Sequence, residues 1–383
     1  MCLFQIINNS MHNFFSERME PDMIYYLLAL QSVEGIGCRG ARKLIDHFGS
    51  AKAALEAGEK LLLEVGGIGP KLVQNLKSGE IYRKADLEME TIEKYRLKVT
   101  SFFDREYPEH LRHCEDAPVL LFYKGKMDLA KRHIISIVGT RKMTSYGATF
   151  TKRLFTELEK YDPVIISGLA YGVDILAHRL ALEYELETIG VLAHGLDRVY
   201  PRAHYKTALQ MMERGALLTE FWTGTSPERE NFVKRNRIIA GMSETTLVIE
   251  SSEKGGSLIT ADLASSYHRE VFAVPGRSTD PFSAGCNHLI KTHRASMLTD
   301  ARDLAYMLNW EPIREYSNRK KEIYSLNAKE KALFEIIQKH GKIQADHLSQ
   351  KSGLRIKDVL STLLRLELYG RIRELPGKHF EVS

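Results

Sequence analysis

The sequence predicts an α/β protein in three parts: a helical domain, a central doubly wound sheet and a C-terminal winged helix. Three observations support this prediction. Residues 131–310 alternate short apolar runs with amphipathic segments, as in a mostly parallel sheet covered by helices. Two apolar-Gly-Ile-Gly turns lie between helical patterns upstream of this region. Three helical patterns and a hairpin lie downstream of it.

The composition is that of an ordinary globular protein, with 383 residues, 44% of them hydrophobic, and a formal net charge of +5. This mild positive charge permits nucleic-acid binding without requiring it. The four cysteines form no Cys-x-x-Cys pair, which argues against a disulfide framework or structural zinc and favours a reducing cytoplasm. The apolar runs are only strand-sized, so we expect no membrane span.

The expected boundaries follow from these patterns. The first residues are apolar but lack the basic flank and cleavage site of a signal peptide, and Met11, Met19 and Met23 are alternative starts. A polar, basic stretch precedes the winged helix and is interpreted as a linker. We therefore divide the chain into an uninterpreted N-terminal extension (1–20), a helical domain (21–80), a core (98–310), a linker (311–324) and a winged helix (325–383).

The core should consist of six buried strands with helices between them, and a further strand from the run Ala117–Phe122 should join at the edge. Ligands of such sheets bind at the carboxyl ends of the strands, so the loops that follow the strands carry the information on function. The candidate strands are Ile134–Val138, Val164–Ser167, Thr188–Leu192, Leu217–Thr219, Thr246–Glu250 and Val271–Val274.

The helical domain carries its two turns at Gly35 and Gly37 and at Gly67 and Gly69. Such turns resemble helix-hairpin-helix motifs, in which glycines let backbone N–H groups approach a DNA phosphate. The alternative is that the glycines are tight connections in a purely structural domain. Both interpretations remain open from the sequence.

The third helix of the C-terminal domain is predicted from Arg355 to Tyr369. Helical spacing predicts a buried face of Ile356, Val359, Leu360, Leu363 and Leu364. The exposed face would then carry Arg355, Lys357, Ser361, Thr362 and Arg365, which suits a DNA groove or backbone. Winged helices also serve as protein-interaction modules, so Arg355, Lys357 and Arg365 are candidates for accessory DNA contacts only.

The loops after the core strands are rich in glycine and in basic residues. The first strand runs into Gly139-Thr140-Arg141 just before a helix, whose N-terminus presents free N–H groups to an anion. Arg141 can add a bidentate, charge-assisted contact to a phosphate. The second strand leads into a glycine turn and Asp174, which can cap the helix that follows.

More basic residues follow the later strands. Arg202 comes just after a Tyr-Pro step, Lys234-Arg235-Asn236-Arg237 is predicted to open a helix, and Gly255-Gly256-Ser257 is predicted to open the next. Together these loops predict a rim that binds phosphates. Its expected contact residues are Gly139, Thr140, Arg141, Ser167, Gly168, Gly172, Arg202, Lys234, Arg235, Asn236, Arg237, Gly255, Gly256 and Ser257.

No catalytic arrangement is visible in the sequence. The first loop is neither GxGxxG nor GxxxxGK[ST], so neither motif indicates a dinucleotide or ATP. The histidines show no metal-ligand spacing, His178 lies in an amphipathic helix as a packed side chain would, and no GxSxG elbow occurs. Glu220 and Glu250 each follow a strand without an evident acid or base partner. We therefore expect no enzyme activity, no cofactor and no metal.

At these loops the sequence resembles the DNA-processing protein A (DprA/Smf) family. The matching segments cover the whole core in order and spacing, and the helical and winged-helix domains also fit the family. The segments are Tyr107-Pro108, Asp116-Ala117-Pro118, Val138-Gly139-Thr140-Arg141, Ser167-Gly168-Leu169-Ala170-Tyr171-Gly172-Val173-Asp174, Gly195-Leu196-Asp197-Arg198-Val199-Tyr200-Pro201, Arg235-Asn236-Arg237-Ile238-Ile239-Ala240-Gly241, Gly256-Ser257-Leu258-Ile259-Thr260-Ala261, Ala273-Val274-Pro275-Gly276 and Gly285-Cys286-Asn287-His288-Leu289-Ile290.

This resemblance implies an extended Rossmann-like core that binds single-stranded DNA and forms a homodimer, beside a SAM-like helix-hairpin-helix domain. It further implies delivery of RecA recombinase onto the strand, with displacement of single-strand-binding protein, during natural transformation. Arg141 and Arg202 stand where the family contacts the strand. Five residues depart from the family pattern: His204, Val233, Gly255, His293 and Arg294.

Two alternatives remain. One is a nucleotide phosphoribohydrolase on a related Rossmann-like fold, although the Pro-Gly-Gly-x-Gly-Thr loop of that group is missing between Glu250 and Ile259. The other is a duplex-DNA adaptor that acts through the helical and winged-helix ends.

Overall fold

The computed structural model describes residues 21–127, 129, 133–313, 326–368, 371–375 and 377–382. The expected N-terminal extension (1–20) and most of the expected linker (311–324) lie outside these residues. The chain divides into two compact units after residue 314, and each is described by itself. In the described residues no helix is long and apolar enough to cross a membrane.

The helical domain is built from two helix-hairpin-helix copies packed on each other. Lys43, on the helix after the first turn, donates to the backbone oxygen of Gly66 in the second turn. In the same way Asn75 donates to the backbone oxygen of Glu34 in the first turn at 3.0 Å. The helices are α1 (Pro21–Gln31), α2 (Cys38–Phe48), α3 (Ala51–Glu56), α4 (Glu59–Glu64), α5 (Pro70–Leu76) and α6 (Glu80–Tyr95).

The core is a nine-stranded sheet in the order β1-β2-β6-β5-β4-β3-β7-β8-β9. Strands β3 to β9 pair in parallel, and β1 and β2 are antiparallel. The strands are β1 (Lys98–Ser101), β2 (Leu120–Gly125), β3 (Ile134–Val138), β4 (Val164–Ser167), β5 (Thr188–Val191), β6 (Ala216–Thr219), β7 (Thr245–Val248), β8 (Glu270–Ala273) and β9 (Ser296–Met297).

The predicted doubly wound sheet is therefore confirmed, with one correction. The run that ends at Phe122 was expected at the edge, but β2 lies between β1 and β6. Strand β1, which pairs with the other side of β2, and the two-residue strand β9 were not among the predicted strands. All five residues of β3 are buried, since helices cover both faces of the sheet.

Helices follow most of the strands and cover the sheet. They are α7 (Glu109–Arg112), α8 (Ser145–Leu158), α9 (Val173–Glu183), α10 (Tyr205–Arg214), α11 (Arg229–Met242), α12 (Gly256–Ser266), α13 (Ala284–Lys291) and α14 (Ala301–Leu308). The chain adds β4, β5 and β6 on one side of β3 and then returns to add β7, β8 and β9 on the other. The direction of winding therefore reverses between β3 and β7, where such folds form their ligand crevice.

The C-terminal unit has the expected winged-helix elements, but its last helix presents a different face to the core. Val359, Leu363 and Leu366 are buried, whereas Ile356, Leu360 and Leu364 are exposed. Thr362, predicted to be exposed, is buried and donates to the Asp358 carbonyl at 2.8 Å. The spacing of the apolar residues in this helix is compatible with two overlapping buried faces. Packing against the first helix of the C-terminal unit determines which face is buried. The elements are α15 (Ala328–His340), β10 (Lys342–Gln344), α16 (Ala345–Ser352), α17 (Ile356–Leu368), β11 (Ile372–Leu375) and β12 (His379–Val382).

Candidate nucleic-acid interface

A groove of about 560 Å³ lies at the reversal point of the sheet. Four segments line it: the loop after β3, the loop after β4 with the start of α9, the loop after β7 with the start of α12, and one face of α11. This is the place where the expected phosphate-binding loops should meet. The groove-lining residues used below are Gly139, Thr140, Arg141, Arg229, Phe232, Asn236, Lys254 and Gly256.

The loop after β3 is held from two sides by backbone hydrogen bonds. Thr140 N donates to the Glu250 carbonyl at 2.8 Å and Val173 N donates to the Thr140 carbonyl at 3.2 Å. A Cβ atom on Gly139 would lie 2.5 Å from the Val173 side chain, and one on Gly172 would collide with the Thr140 oxygen. These two glycines are therefore required by the packing of the loops on each other.

Glu250, which lacked a partner in the sequence, is buried and bonded to the start of α8. Its carboxylate accepts from Thr144 N at 2.8 Å and from the Thr144 hydroxyl, while Thr144 caps the helix through Gly147 N. The carboxylate thus anchors the loop that carries Arg141 to the end of β7. This bonding gives Glu250 a structural role.

Arg141 lies beside an aromatic ring at the mouth of the groove. Its guanidinium carbon is 5.3 Å from the centre of the Phe232 ring, and Tyr200 meets the same ring edge-on at 6.0 Å between centroids. Arg141 is exposed and Phe232 is partly exposed. The arrangement offers a cation for a phosphate and a π-face for a base, the combination used by single-strand-binding grooves.

Sequence reasoning missed Phe232, Arg229 and Lys254 as groove residues. The available signal was an aromatic residue close to basic residues in one helical segment. The signal was not used because Lys234-Arg235-Asn236-Arg237 was expected to begin the helix, which placed Phe232 outside it. In the structure α11 begins earlier, at Arg229, so the tetrad from Lys234 to Arg237 lies inside the helix.

Arg235 is buried, although it is among the residues that line the groove. It donates to the Gly168 carbonyl at 2.8 Å and also to the Val191 carbonyl. Burial lowers the pKa of its guanidinium to about 10, an effect that the charge of Asp174 opposes. A side chain on Gly168 would collide with this guanidinium. Arg235 thus joins the loop after β4 to the end of β5, and the phosphate contact expected of it stays a prediction.

Asp174 belongs to the same buried cluster. Its carboxylate accepts from Gly168 N at 3.2 Å and from Ala170 N at 3.4 Å, and Gly172 occupies the cap position of α9. The expected role of Asp174 as a helix cap is therefore wrong. The carboxylate instead holds the loop after β4, and burial raises its pKa against the opposing charge of Arg235.

Helical geometry also directs the remaining members of the tetrad to different sides of α11. Asn236 lines the groove, and its side-chain oxygen accepts from Arg235 Nε at 3.3 Å. Arg237 lies on the other side, where it pairs with Glu220 and donates to the Asp116 carbonyl. Lys234 lies on that side too. The side chains of Lys234–Arg237, which were predicted to bind phosphate together, thus lie on two different surfaces.

The remaining predicted loop residues differ in solvent exposure and in the space around them. Ser167 is buried and donates to the Ile137 carbonyl at 2.6 Å, and Ser257 donates to the Ser251 hydroxyl at 2.9 Å. Gly255 is packed against Ser251, but a Cβ atom on Gly256 would meet nothing within 4 Å. Gly256 is therefore the glycine at the start of α12 that leaves space beside the groove.

Arg202 is exposed on a short 3-10 turn from Arg202 to His204, outside the lining of this groove. The preceding Tyr200 connects its segment to Phe232. The predicted accessory residues lie elsewhere: Gly35, Gly37, Gly67 and Gly69 are exposed on the helical domain, and Arg355, Lys357 and Arg365 are exposed on or beside α17. Within the described ranges, no three His, Cys, Asp or Glu side chains group as a metal site.

Comparison with known families assigns all three domains. The model of DNA recombination-mediator protein A matches residues 98–309. A SAM-like helix-hairpin-helix tandem matches residues 27–79, and the DprA winged helix domain matches residues 319–378.

Curated relatives align over much of the chain. Protein Smf of Synechocystis sp. is 34% identical over 288 residues, which cover 73% of this chain and 71% of the relative. DNA processing protein DprA of Streptococcus pneumoniae is 40% identical over 204 residues, which cover 53% of this chain and 72% of that protein.

Two solved structures share the fold. The X-ray structure of DprA from S. pneumoniae has a TM-score of 0.65 at 32% identity and covers 75% of this chain and 98% of that one. DNA processing protein A from Helicobacter pylori, whose structure was determined to explain its unique single-stranded DNA binding mode, has a TM-score of 0.51 at 28% identity. The match covers 56% of this chain and 98% of that one. The core match, which spans more than half of the chain, and the relatives over its length together show that this protein belongs to the DNA recombination-mediator protein A (DprA/Smf) family.

Proposed function

We propose that the protein binds single-stranded DNA in the groove between the loop after β3 and α11. The observation that carries this proposal is the exposed Arg141 guanidinium stacked near Phe232. A phosphate can bind the cation while a neighbouring base stacks on the ring, without any need for sequence readout. Arg229 and Lys254 add two further cations to the lining.

The ligand assignment has further support from the H. pylori relative, which binds single-stranded DNA. Arg202 is proposed as a further phosphate contact, beyond the groove lining, because it is exposed on the segment that Tyr200 joins to Phe232. The groove carries no dinucleotide or ATP loop, so a polymer backbone fits its distributed cations better than one nucleotide does.

Beyond DNA binding, we propose the mediator role that the family resemblance implies. In this role the protein acts in the cytoplasm as a homodimer, displaces single-strand-binding protein and delivers RecA recombinase onto incoming DNA during natural transformation. It performs no chemistry on the strand. RecA filament formation on DNA coated with single-strand-binding protein tests this role, and unchanged assembly in the presence of the protein would contradict it.

The DNA site itself is tested by Arg141→Ala with Lys152→Ala as the matched control. Lys152 is exposed on α8 and does not line the groove, so both variants lose one surface cation. Losing one phosphate contact should weaken oligo-dT binding and reduce the log–log salt slope by about 0.7, and Lys152→Ala should change neither. If Arg141→Ala binds oligo-dT like the wild-type protein across a salt titration, the groove is not the site.

The two alternative functions, a duplex-DNA adaptor and a phosphoribohydrolase, can each be tested directly. The exposed glycine turns of the helical domain and the exposed cations around α17 favour a duplex-DNA adaptor, and preference for duplex over single strand in competition would support it. Adenine release from AMP would support a phosphoribohydrolase. The buried hydrogen bonds of Glu250 argue against its use as a catalytic base there.

A further inference from the structure

A second cleft lies on the opposite side of α11 from the DNA groove. It measures about 490 Å³ and is formed where the helical domain meets the core. Gln31, Cys38 and Lys84 line it from the helical domain, and Glu220, Trp222 and Lys234 are among the core residues that line it. We call it the inter-domain cleft.

The charge of the cleft is positive because its one carboxylate is already neutralised. Glu220 forms an ion pair with Arg237, and both side chains are largely buried. Lys84 and Lys234 are exposed, and neither forms an ion pair with another described residue. The ammonium groups of Lys84 and Lys234 are therefore available to bind an anionic ligand such as a phosphate.

The cleft also offers an aromatic surface that is held in place. Trp222 is partly exposed, and its indole N–H donates to the Gln31 side-chain oxygen at 3.2 Å across the domain boundary. The adjacent backbone is fixed as well, because Thr223 N donates to the buried Glu88 carboxylate at 3.1 Å. A ring fixed in this way can receive a base with little loss of side-chain entropy.

Helix α11 connects this cleft to the DNA groove. Phe232 and Asn236 lie on its groove side, and Lys234 and Arg237 lie on its cleft side. A helix with its side chains is only about 10 Å across. A strand bound beside Phe232 can therefore continue over α11 into the cleft.

We propose that the inter-domain cleft is a second contact site for the same DNA strand. Phosphates bind Lys84 and Lys234, and one base stacks on Trp222. This inference rests on the proposed function of the groove and extends it, because it gives the helical domain a direct part in strand binding.

The first experiment compares strand length. Lys84→Ala with Lys234→Ala should weaken binding of an oligo-dT of about 30 nucleotides severalfold and lower its salt slope by about 1.4. Binding of an oligo-dT of about 6 nucleotides, which fills the groove alone, should not change. The control, Lys152→Ala with Lys291→Ala, removes two exposed lysines that line neither groove and should change neither length.

The second experiment uses intrinsic fluorescence. The chain has two tryptophans, and Trp310 is buried against His133 and Tyr161 in the core. Long oligo-dT should quench the emission of the wild-type protein by stacking on Trp222, and Trp222→Phe should abolish that quenching while the Trp310 signal remains. Short oligo-dT should cause little quenching.

The outcomes separate the two proposals. Failure of the wild-type protein to bind any oligo-dT would overturn the proposed function. The cleft proposal alone would be overturned by two results together. Arg141→Ala would weaken oligo-dT binding as expected, and Lys84→Ala with Lys234→Ala would bind both oligonucleotide lengths as tightly as its control. Persistent quenching in Trp222→Phe would also overturn it, since the signal would then come from Trp310.

Discussion

Arg235 Nη1 donates to the carbonyl oxygen of Gly168 at 2.8 Å, which joins α11 to the loop after β4. The arginine is 3% exposed, and the carboxylate of Asp174 lies in the same buried cluster. A basic residue in the segment that most resembles a DNA contact is therefore part of the protein's interior. We therefore expect its contribution to DNA binding to be indirect, because it fixes the loops that form the groove.

Arg235→Met should destabilise the fold by about 3–5 kcal/mol, because it leaves the Asp174 charge buried without its partner. Urea unfolding at neutral pH measures this loss, and Arg141→Ala, which changes an exposed side chain, should stay within about 0.5 kcal/mol of the wild-type protein. If Arg235→Met unfolds at the wild-type urea concentration but no longer binds DNA, the arginine is a ligand contact after all.

Phe232→Leu should weaken binding of oligo-dT by about 1–3 kcal/mol, since it removes the base-stacking face and leaves an apolar side chain in place. Phe232→Tyr keeps the ring and should bind nearly as well as the wild-type protein. Fluorescence anisotropy with labelled oligo-dT measures both. Equal affinities for the Leu and Tyr variants would show that the ring does not stack on a base.

Gly172→Ala should be strongly destabilising, by at least about 1–2 kcal/mol, because the residue has a φ of 77° and its Cβ atom would collide with Thr140. Gly256→Ala is the matched control with open space around it, and it should leave stability within about 0.5 kcal/mol. Thermal unfolding of the two variants provides the comparison. Similar melting temperatures would contradict the contact assigned to Gly172.

His178 should make the protein less stable as the pH falls. It is fully buried, and its Nδ1 lies 2.6 Å from the Thr188 hydroxyl. Because Thr188 donates its own proton to the Ile165 carbonyl, the histidine Nδ1 is the donor in this pair. Burial, with the nearby charges of Arg235 and His204, lowers the pKa of His178 to about 3 from 6.5.

The sign follows from which state binds the proton. Below pH 6.5 the unfolded chain protonates this histidine and the folded protein does not, so the stability present above pH 6.5 is lost as pH falls toward 3. Between pH 7 and pH 5 the loss should be about 2 kcal/mol. Urea unfolding at both values should show it, and His178→Gln should reduce the difference. An unchanged difference in that variant would assign the effect to other groups.

The sequence by itself determined the sheet and its reversal point. Buried strands such as β3 must alternate with amphipathic helices to cover both faces, and the small residues after β3 and β7 must lie at one edge because the strands are parallel. The place of the DNA groove therefore follows from local patterns. Arg141, in the loop after β3, was found in this way.

Only the tertiary structure decided which basic residues face that groove. Four consecutive residues inside a helix point in directions about 100° apart, so Asn236 lines the groove while Lys234 and Arg237 line the cleft. The partners of Arg235 and Arg237 are Gly168 and Glu220, on separate loops that meet only when the sheet forms. A pattern of charges along the chain cannot distinguish an arginine that meets a buried carbonyl from one that meets solvent.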